Sequence, residues 1–593
     1  MGLRHTCHMQ TGLMLLQGNR LEDLSSTVLA WLHRHPLPGL VPEAVLVQSN
    51  GMAEWFKMTA AQHLGVCAGM RVELPARFSW RAYRQVLGAS IPVPTQLPLD
   101  KDPMVWRLMA WLSQAPHTLA DADAAPLGAD AAWASRAALA ALRALNAEAP
   151  FGQPAVQQLA WCRRVADTFD QYQVYRPDWL SDWQAGHDVL RPAPESSAAQ
   201  WQPLPPEQAW QPALWRLLHT RLSPSEQQVT RPALHREALR RLHEGPPGRV
   251  LGGLPSRLVL FGTTQLPLQT LELLAALSRH MQVLMAVPNP CRHHWTDASA
   301  LPPAGHPLLS TWGRQSRDFI RQLERFDEAQ RQQRHTDIPH VELFTEGAGS
   351  TLLEQVQSGI REMSSLAELR AEAGPEPPPE PAPDGAADTR GRPAADDRSI
   401  QFHAAHSALR EVEVLHDQLL HQLAQPAVPG RPALQPRDIV VMVPDVERFA
   451  PAIRAVFGRH GRGDERHIPW GIADVNERAE LPLLQTLDWL LQADQHRYTC
   501  SELQDLLELP ALTAKLGLSA EDCAELSQWV QQAGLRWGLD AGQRARVLAD
   551  AATAGGASRS GASRSSPGAF AVSSAPETPA LHTWRWALDR LLL

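Results

Sequence analysis

The 593-residue sequence predicts an α/β protein, P-loop-NTPase-like in its order of elements, with an inserted all-α domain and with the catalytic motifs of that fold lost. Three observations carry this. Short β-branched or leucine-rich runs alternate with segments of helical period, the pattern of strands joined by helical crossovers into a parallel sheet. A long stretch between two of these runs is rich in Trp, Ala and Leu and helical in period throughout. The loops that follow the strands lack the residues that hold phosphate or magnesium.

Taken in order, "LMLLQGNRLEDLSSTVLAWLHRH" (13–35) gives an apolar run to Leu16, a break at Gln17-Gly18-Asn19, and a helix with Leu21, Leu24, Val28, Leu29 and Leu32 at helical spacing. "VLVQSNGMAEWFKMTAAQHL" (45–64) repeats it: Val45-Leu46-Val47, a polar Gln48-Ser49-Asn50-Gly51 turn, then a helix. "RLVLFGTTQLPLQTLELLAAL" (257–277) gives it a third time, ahead of another strand in "MQVLMAVPNP" (281–290). The expected boundaries are 1–95 for the first part of an α/β domain, 96–245 for the helical insert and 246–370 for its continuation. Residues 371–398 are Pro-, Ala- and acid-rich, cannot build a core, and read as a disordered linker. "IQFHAAHSALREVEVLHDQLLHQL" and "PRDIVVMVPDVERFAPAIRAVF" each read as strand then helix, marking a second α/β domain over 399–550 with a helical insertion. A second low-complexity loop, 551–579, precedes a last helix, 580–593, whose apolar face leads us to expect that the polypeptide continues.

Composition excludes several classes of function. No run approaches the roughly 18 apolar residues of a membrane span, and the N-terminus has no secretory pattern, so a cytoplasmic protein is the simplest reading. Lysine occurs only at Lys57, Lys101 and Lys515, and none is followed by Ser or Thr as a Walker A loop requires. Where a Walker B strand would place Asp-Glu for magnesium stand Gly262-Thr263-Thr264. The expectation is no catalytic residue and no cofactor in this chain. The six cysteines are scattered, and "NPCRHHW", with Cys291, His293 and His294, lacks the fourth ligand of a closed zinc site, so no metal is expected. Formal charge is −8, but the basic residues are nearly all arginine, whose planar fork suits phosphate and base edges.

Eight ordered blocks, "LVQSNGMAEWFKMTAAQHLG", "LPARFSW", "DTFDQYQVYRPDWLSDW", "NPCRHHW", "HPLLSTWGRQSRDF", "HSALREVEVLHDQLL", "PRDIVVMVPD" and "GLRWGLD", resemble the RecC-type gamma subunit of bacterial exodeoxyribonuclease V over the amino-terminal half of that family's length. The resemblance implies superfamily-1 helicase-like domains without ATPase motifs. It implies RecB-like and RecD-like motor subunits as partners, which would use ATP and Mg and supply the nuclease, and single- and double-stranded DNA as ligands. It also implies a channel in which side chains recognise the recombination hotspot Chi.

By motif, that channel takes Gln48, then Asn50 and Glu54, which depart from the enterobacterial Thr and Gln. Leu74 and Trp80 follow, then Asp167, Thr168 in place of leucine, Asp170 and Arg176, and Arg231 by a looser match. Read from the residues alone, Trp80 is equally a half-buried core aromatic, and Asp167 and Asp170 solvated helix residues. Two other readings stand beside this one: an AddB-type helicase-nuclease subunit whose centre lies beyond this chain, and a pure assembly scaffold.

Overall fold

The structure, a computed structural model, describes residues 11–39, 41–120, 154–192, 198–208, 210–248, 251–296, 306–334, 340–347, 350–365, 367–368, 396–426, 433–473, 481–493, 496–507, 509–556 and 580–592. They fall into two compact units, divided near Ile400. Among the described residues no helix is long and apolar enough to cross a membrane.

The first unit is built on a six-stranded, wholly parallel sheet. Its strands are β1 (Gly12–Gly18), β2 (Glu43–Val47), β3 (Met70–Glu73), β4 (Arg257–Phe261), β5 (Gln282–Pro288) and β6 (His340–Leu343), in the spatial order β3-β2-β4-β5-β1-β6. Val45 lies opposite Val259 and Val72, and Leu15 opposite Met285 and His340. The inner strands are apolar at nearly every position because both faces are covered, as parallel sheets require.

Alternation sorts the strand residues between two cores. Val45, Val47, Val259, Phe261, Leu284 and Ala286 face α1 (Leu21–Arg34) and α2 (Asn50–Leu64), meeting Leu24, Val28, Leu29 and Phe56. Ala44, Leu46, Leu258, Leu260, Val283 and Met285 lie in the other core, with residues of α3 (Pro75–Leu87). Local signals set the helix ends. Ser49 caps α2 by accepting the Met52 N–H at 3.2 Å, Gly65 ends that helix at φ 81°, and Pro75 opens α3 at a position with no N–H to satisfy.

The helical insert holds α4 (Lys101–Ala120), α5 (Pro154–Tyr175), α6 (Pro177–Gln184) and α7 (Trp210–Thr220) around Trp111, Trp161, Phe169, Trp183 and Trp215. The next helix, α8 (Arg231–Glu244), packs Leu234, Ala238 and Leu242 into the sheet core with α3 and α9 (Leu268–Leu277), although the periodicity of the sequence runs the insert to residue 245. Two further helices, α10 (Arg314–Arg334) and α11 (Leu352–Arg361), complete the unit's main helices.

The second unit corrects one expectation. The strand–helix pairs expected in the second α/β domain give the helices α12 (Ala408–Leu423) and α13 (Val446–Phe457), packed through Val412, Phe457 and Ile468, but no strand among the described residues. The segments expected as strands are unpaired, and they leave Phe402 94 %, Val440 82 % and Met442 87 % exposed. Strand propensity in Ile439–Met442 is not enough. A strand exists by its ladder, and no described segment of this unit pairs with it.

The remaining helices are α14 (Pro482–Leu491), α15 (Cys500–Leu507), α16 (Pro510–Leu516), α17 (Ala520–Gln532), α18 (Ala541–Gly556) and α19 (Trp584–Leu592). The last is held within this unit by Ala587 against Ala533 and Leu535, and by the Trp584 indole donating to the Tyr498 carbonyl at 3.1 Å. The first residues of the expected 551–579 loop continue α18 to Gly556; the rest of that loop, and 371–395 of the expected linker, lie outside the described residues.

Candidate nucleic-acid interface

All six strands end on one edge of the sheet, the edge at which open α/β sheets present ligand-binding loops. Here the loops carry neutral amides and hydroxyls. Gln48, exposed after β2, accepts from the Thr264 N–H at 3.2 Å and from its hydroxyl at 3.0 Å. Because an N–H can only donate, the Gln48 atom it meets is the oxygen, so that acceptor is engaged and the amide NH2 is what remains to offer a base edge. After β1, Asn19 donates to the Thr345 carbonyl at 3.1 Å and accepts from its N–H at 2.9 Å. Asn289, after β5, donates to Gln17 at 3.0 Å. Asn50 and Glu54 are exposed one turn apart on α2, Glu54 pairing with Lys57 at 2.8 Å, and Leu74 stands partly exposed at the start of α3.

On α3, half-buried Trp80 meets Tyr83 edge-on, with ring centroids 5.5 Å apart. From Tyr83 a chain of polar side chains links three helices. The Tyr83 hydroxyl lies 3.0 Å from His235 Nδ1 on α8, whose Nε2 lies 2.7 Å from Glu272 on α9. Trp80, Arg84, Asp100, Lys101, Asp170 and Arg231 line one cleft of about 320 Å³. The Arg231 guanidinium sits 5.6 Å from the Trp80 ring and donates to both Asp100 and Asp170 at 3.3 Å. Lys101 adds Asp167 to the group through a 2.5 Å ion pair.

The structure therefore brings together Trp80, Asp170 and Arg231, with Asp167 beside them. It does not bring Arg176 with them: that guanidinium grips Asp178 at 2.7 and 3.0 Å, donates to the Arg191 carbonyl and lies 3.9 Å over Trp179. Thr168 returns its hydroxyl to the Arg164 carbonyl of its own helix at 2.9 Å. Arg84, Asp100, Lys101 and Thr264 were missed by sequence reasoning. A signal existed for one of them, since Lys101 is one of only three lysines in the chain.

Burial raises the Asp170 carboxyl above its ordinary value, outweighing the pull of Arg231 and Lys101, while Asp100 and Asp167 add to the rise. A group raised in the folded state binds its proton more tightly there. Its contribution to stability is complete below the unfolded value near pH 4 and is lost as pH rises through the folded one. Asp170→Asn is therefore expected to melt higher than the parent at neutral pH, with a gain that shrinks as pH falls toward 4. Melting curves of both across pH 3–7 check it, and a gain that grew on acidification would refute it.

The family described as RecC, N-terminal domain, matches residues 13–363, and the RecBCD enzyme subunit RecC fourth domain matches residues 480–593. The RecBCD enzyme subunit RecC of Escherichia coli K12 is 31 % identical over 98 % of this chain and 47 % of its own length. That of Haemophilus influenzae is 29 % identical over 84 % of this chain and 44 % of its own, and that of Mycolicibacterium smegmatis 30 % over 89 % and 43 %. The chain spans about half the length of the curated relatives it matches. With the N-terminal match alone covering more than half of its residues, the chain belongs to the RecC family.

Proposed function

We propose that this chain is the non-catalytic, strand-engaging and Chi-recognising part of an ATP-dependent helicase-exonuclease of the exodeoxyribonuclease V type. It works in the cytoplasm on the ends of linear duplex DNA during recombinational double-strand break repair. Its sheet unit is a superfamily-1 helicase-like domain without an engine. RecB-like and RecD-like motor subunits supply ATP hydrolysis with Mg, and the cutting.

One observation carries the strand-engaging role: Trp80, Asp170 and Arg231, from three helices, line one cleft. An indole face stacks on an unpaired base, and carboxylates accept from base amino groups.

The loss of nucleotide chemistry rests on the loop after β1, where a motor cradles phosphate. Asn19 and Thr345 fill that position, a Cβ on Gly18 would meet the Leu343 carbonyl oxygen at 2.6 Å, and Glu22 and Asp23 occupy the first turn of α1, where they repel an anion. In the second unit Leu483, Leu490 and Leu491 of α14 are more than half exposed, apolar surface of the kind an assembly covers.

The chain purified alone is expected to show no ATP turnover above background, with or without DNA; stoichiometric turnover would overturn the dead-motor reading. Reconstituted with the two motor subunits, Gln48→Ala is expected to weaken the response to the hotspot while processive unwinding persists. Loss of both in equal measure would count against a base contact.

A further inference from the structure

Two of the three cations that line the cleft, Arg231 and Lys101, are already paired with carboxylates. Arg231 is divided between Asp100 and Asp170, and Lys101 is held by Asp167, so neither cation is left free for a phosphate. A base edge can bond to paired groups of this kind, whereas a phosphate finds no free cation among them. A strand placing a base on Trp80 must keep its backbone outside the cleft.

The face of α3 that carries Trp80 supplies what the interior lacks. Arg77, Arg81 and Arg84 follow at i, i+4 and i+7 and share one side of the helix with Trp80 at i+3. Arg81 is committed to Glu73. Arg77 and Arg84 are exposed, and neither has a side-chain partner among the described residues. Seven residues of helix separate the two by about 10 Å along the axis, with Trp80 between them. Arg84 also stands at the cleft itself.

We propose that Arg77 and Arg84 clamp the phosphate backbone of a single nucleic-acid strand on either side of the base that Trp80 receives. The clamp rests on the strand-engaging role proposed above and adds to it the residues that hold the backbone. It divides the work of the site: α3 holds the strand without regard to sequence, and the cleft reads it.

The test is fluorescence anisotropy of the full chain with labelled oligo-dT, oligo-dC and mixed-sequence strands over a salt series. Arg77→Ala and Arg84→Ala are each expected to flatten the slope of log affinity against log salt by about 0.7, and the double variant by about 1.4, equally for all three strands. Lysine at either position is expected to keep the slope while losing part of the affinity, because charge remains and the fork does not. Arg34→Ala, at an exposed cation in the last turn of α1, is the control and is expected to change neither.

If Trp80→Leu weakens binding while Arg77→Ala and Arg84→Ala leave the slope unchanged, the clamp fails and the strand-engaging role stands. If Arg34→Ala flattens the slope as much, the effect is general charge and the clamp fails. If the parent chain binds none of the strands at low salt, both readings fail. Unchanged melting temperatures in the exposed-arginine variants exclude misfolding as the cause.

Discussion

Glu43→Ala is expected to destabilise the first unit by about 3–5 kcal/mol, the range for stranding one partner of a buried ion pair. Arg257 is 2 % exposed at the start of β4, in the middle of the sheet. Its guanidinium pairs with Glu43 at the start of β2 through two contacts, donates to the His35 carbonyl at 2.8 Å and lies 4.7 Å from the Trp31 ring. Removing Glu43 leaves a cation with one carbonyl and one ring face in a site closed to water. Replacing both residues with apolar ones, Glu43→Leu with Arg257→Met, is expected to recover most of the loss, because such exchanges often come out near neutral. Urea unfolding followed through the first unit's transition measures both. A single-variant loss below about 1 kcal/mol would mean that water or backbone movement relieves the charge.

What the sequence discloses follows from burial. β1, β2, β4 and β5 are legible because inner parallel strands are apolar on both faces; their runs stand out from any surface segment. The edge strands are not. Met70-Arg71-Val72-Glu73 and His340-Val341-Glu342-Leu343 are four residues each, with one side toward solvent and polar residues to match. The opposite error arose at Ile439–Met442, where propensity is high and no described segment pairs with it. Propensity records the preference of a residue; a ladder needs two segments. The α8 boundary is of the same kind, since periodicity reveals that a helix has an apolar face but not which core takes it.

The candidate site divides in the same way. Trp80, Asp170 and Arg231 were reached by resemblance, and no spacing within the chain links them: Asp170 and Arg231 meet across 61 residues. Arg84 and Lys101 are exposed charges on helices, which give no periodic signal, and Asp100 is a half-buried loop residue just before α4. Arg176 met the motif as well as any of the others, yet a neighbouring Asp178 two residues on and the Trp179 ring claim its guanidinium. A motif fixes the residue type, while local partners decide whether the side chain is free to serve.

The second large effect is expected at Trp80. Removing a stacking aromatic from a single-strand site costs about 1–3 kcal/mol per base, which at tenfold per 1.4 kcal/mol is roughly 5- to 150-fold in affinity. Trp80 is also half-buried, packed on Tyr83 and on the core beneath, so Trp80→Ala alone would confound a lost contact with a loosened helix. Two conservative changes separate them. Trp80→Phe keeps an aromatic face and is expected to retain most of the affinity, while Trp80→Leu fills the core with an aliphatic side chain and is expected to lose most of it. Both should melt close to the parent, because Tyr83, His235 and Glu272 hold α3 to α8 and α9 without help from the indole. Anisotropy with single-stranded DNA, read beside the melting curves, decides the matter. If Trp80→Leu binds as the parent does, the indole belongs to the core and the cleft takes its base elsewhere.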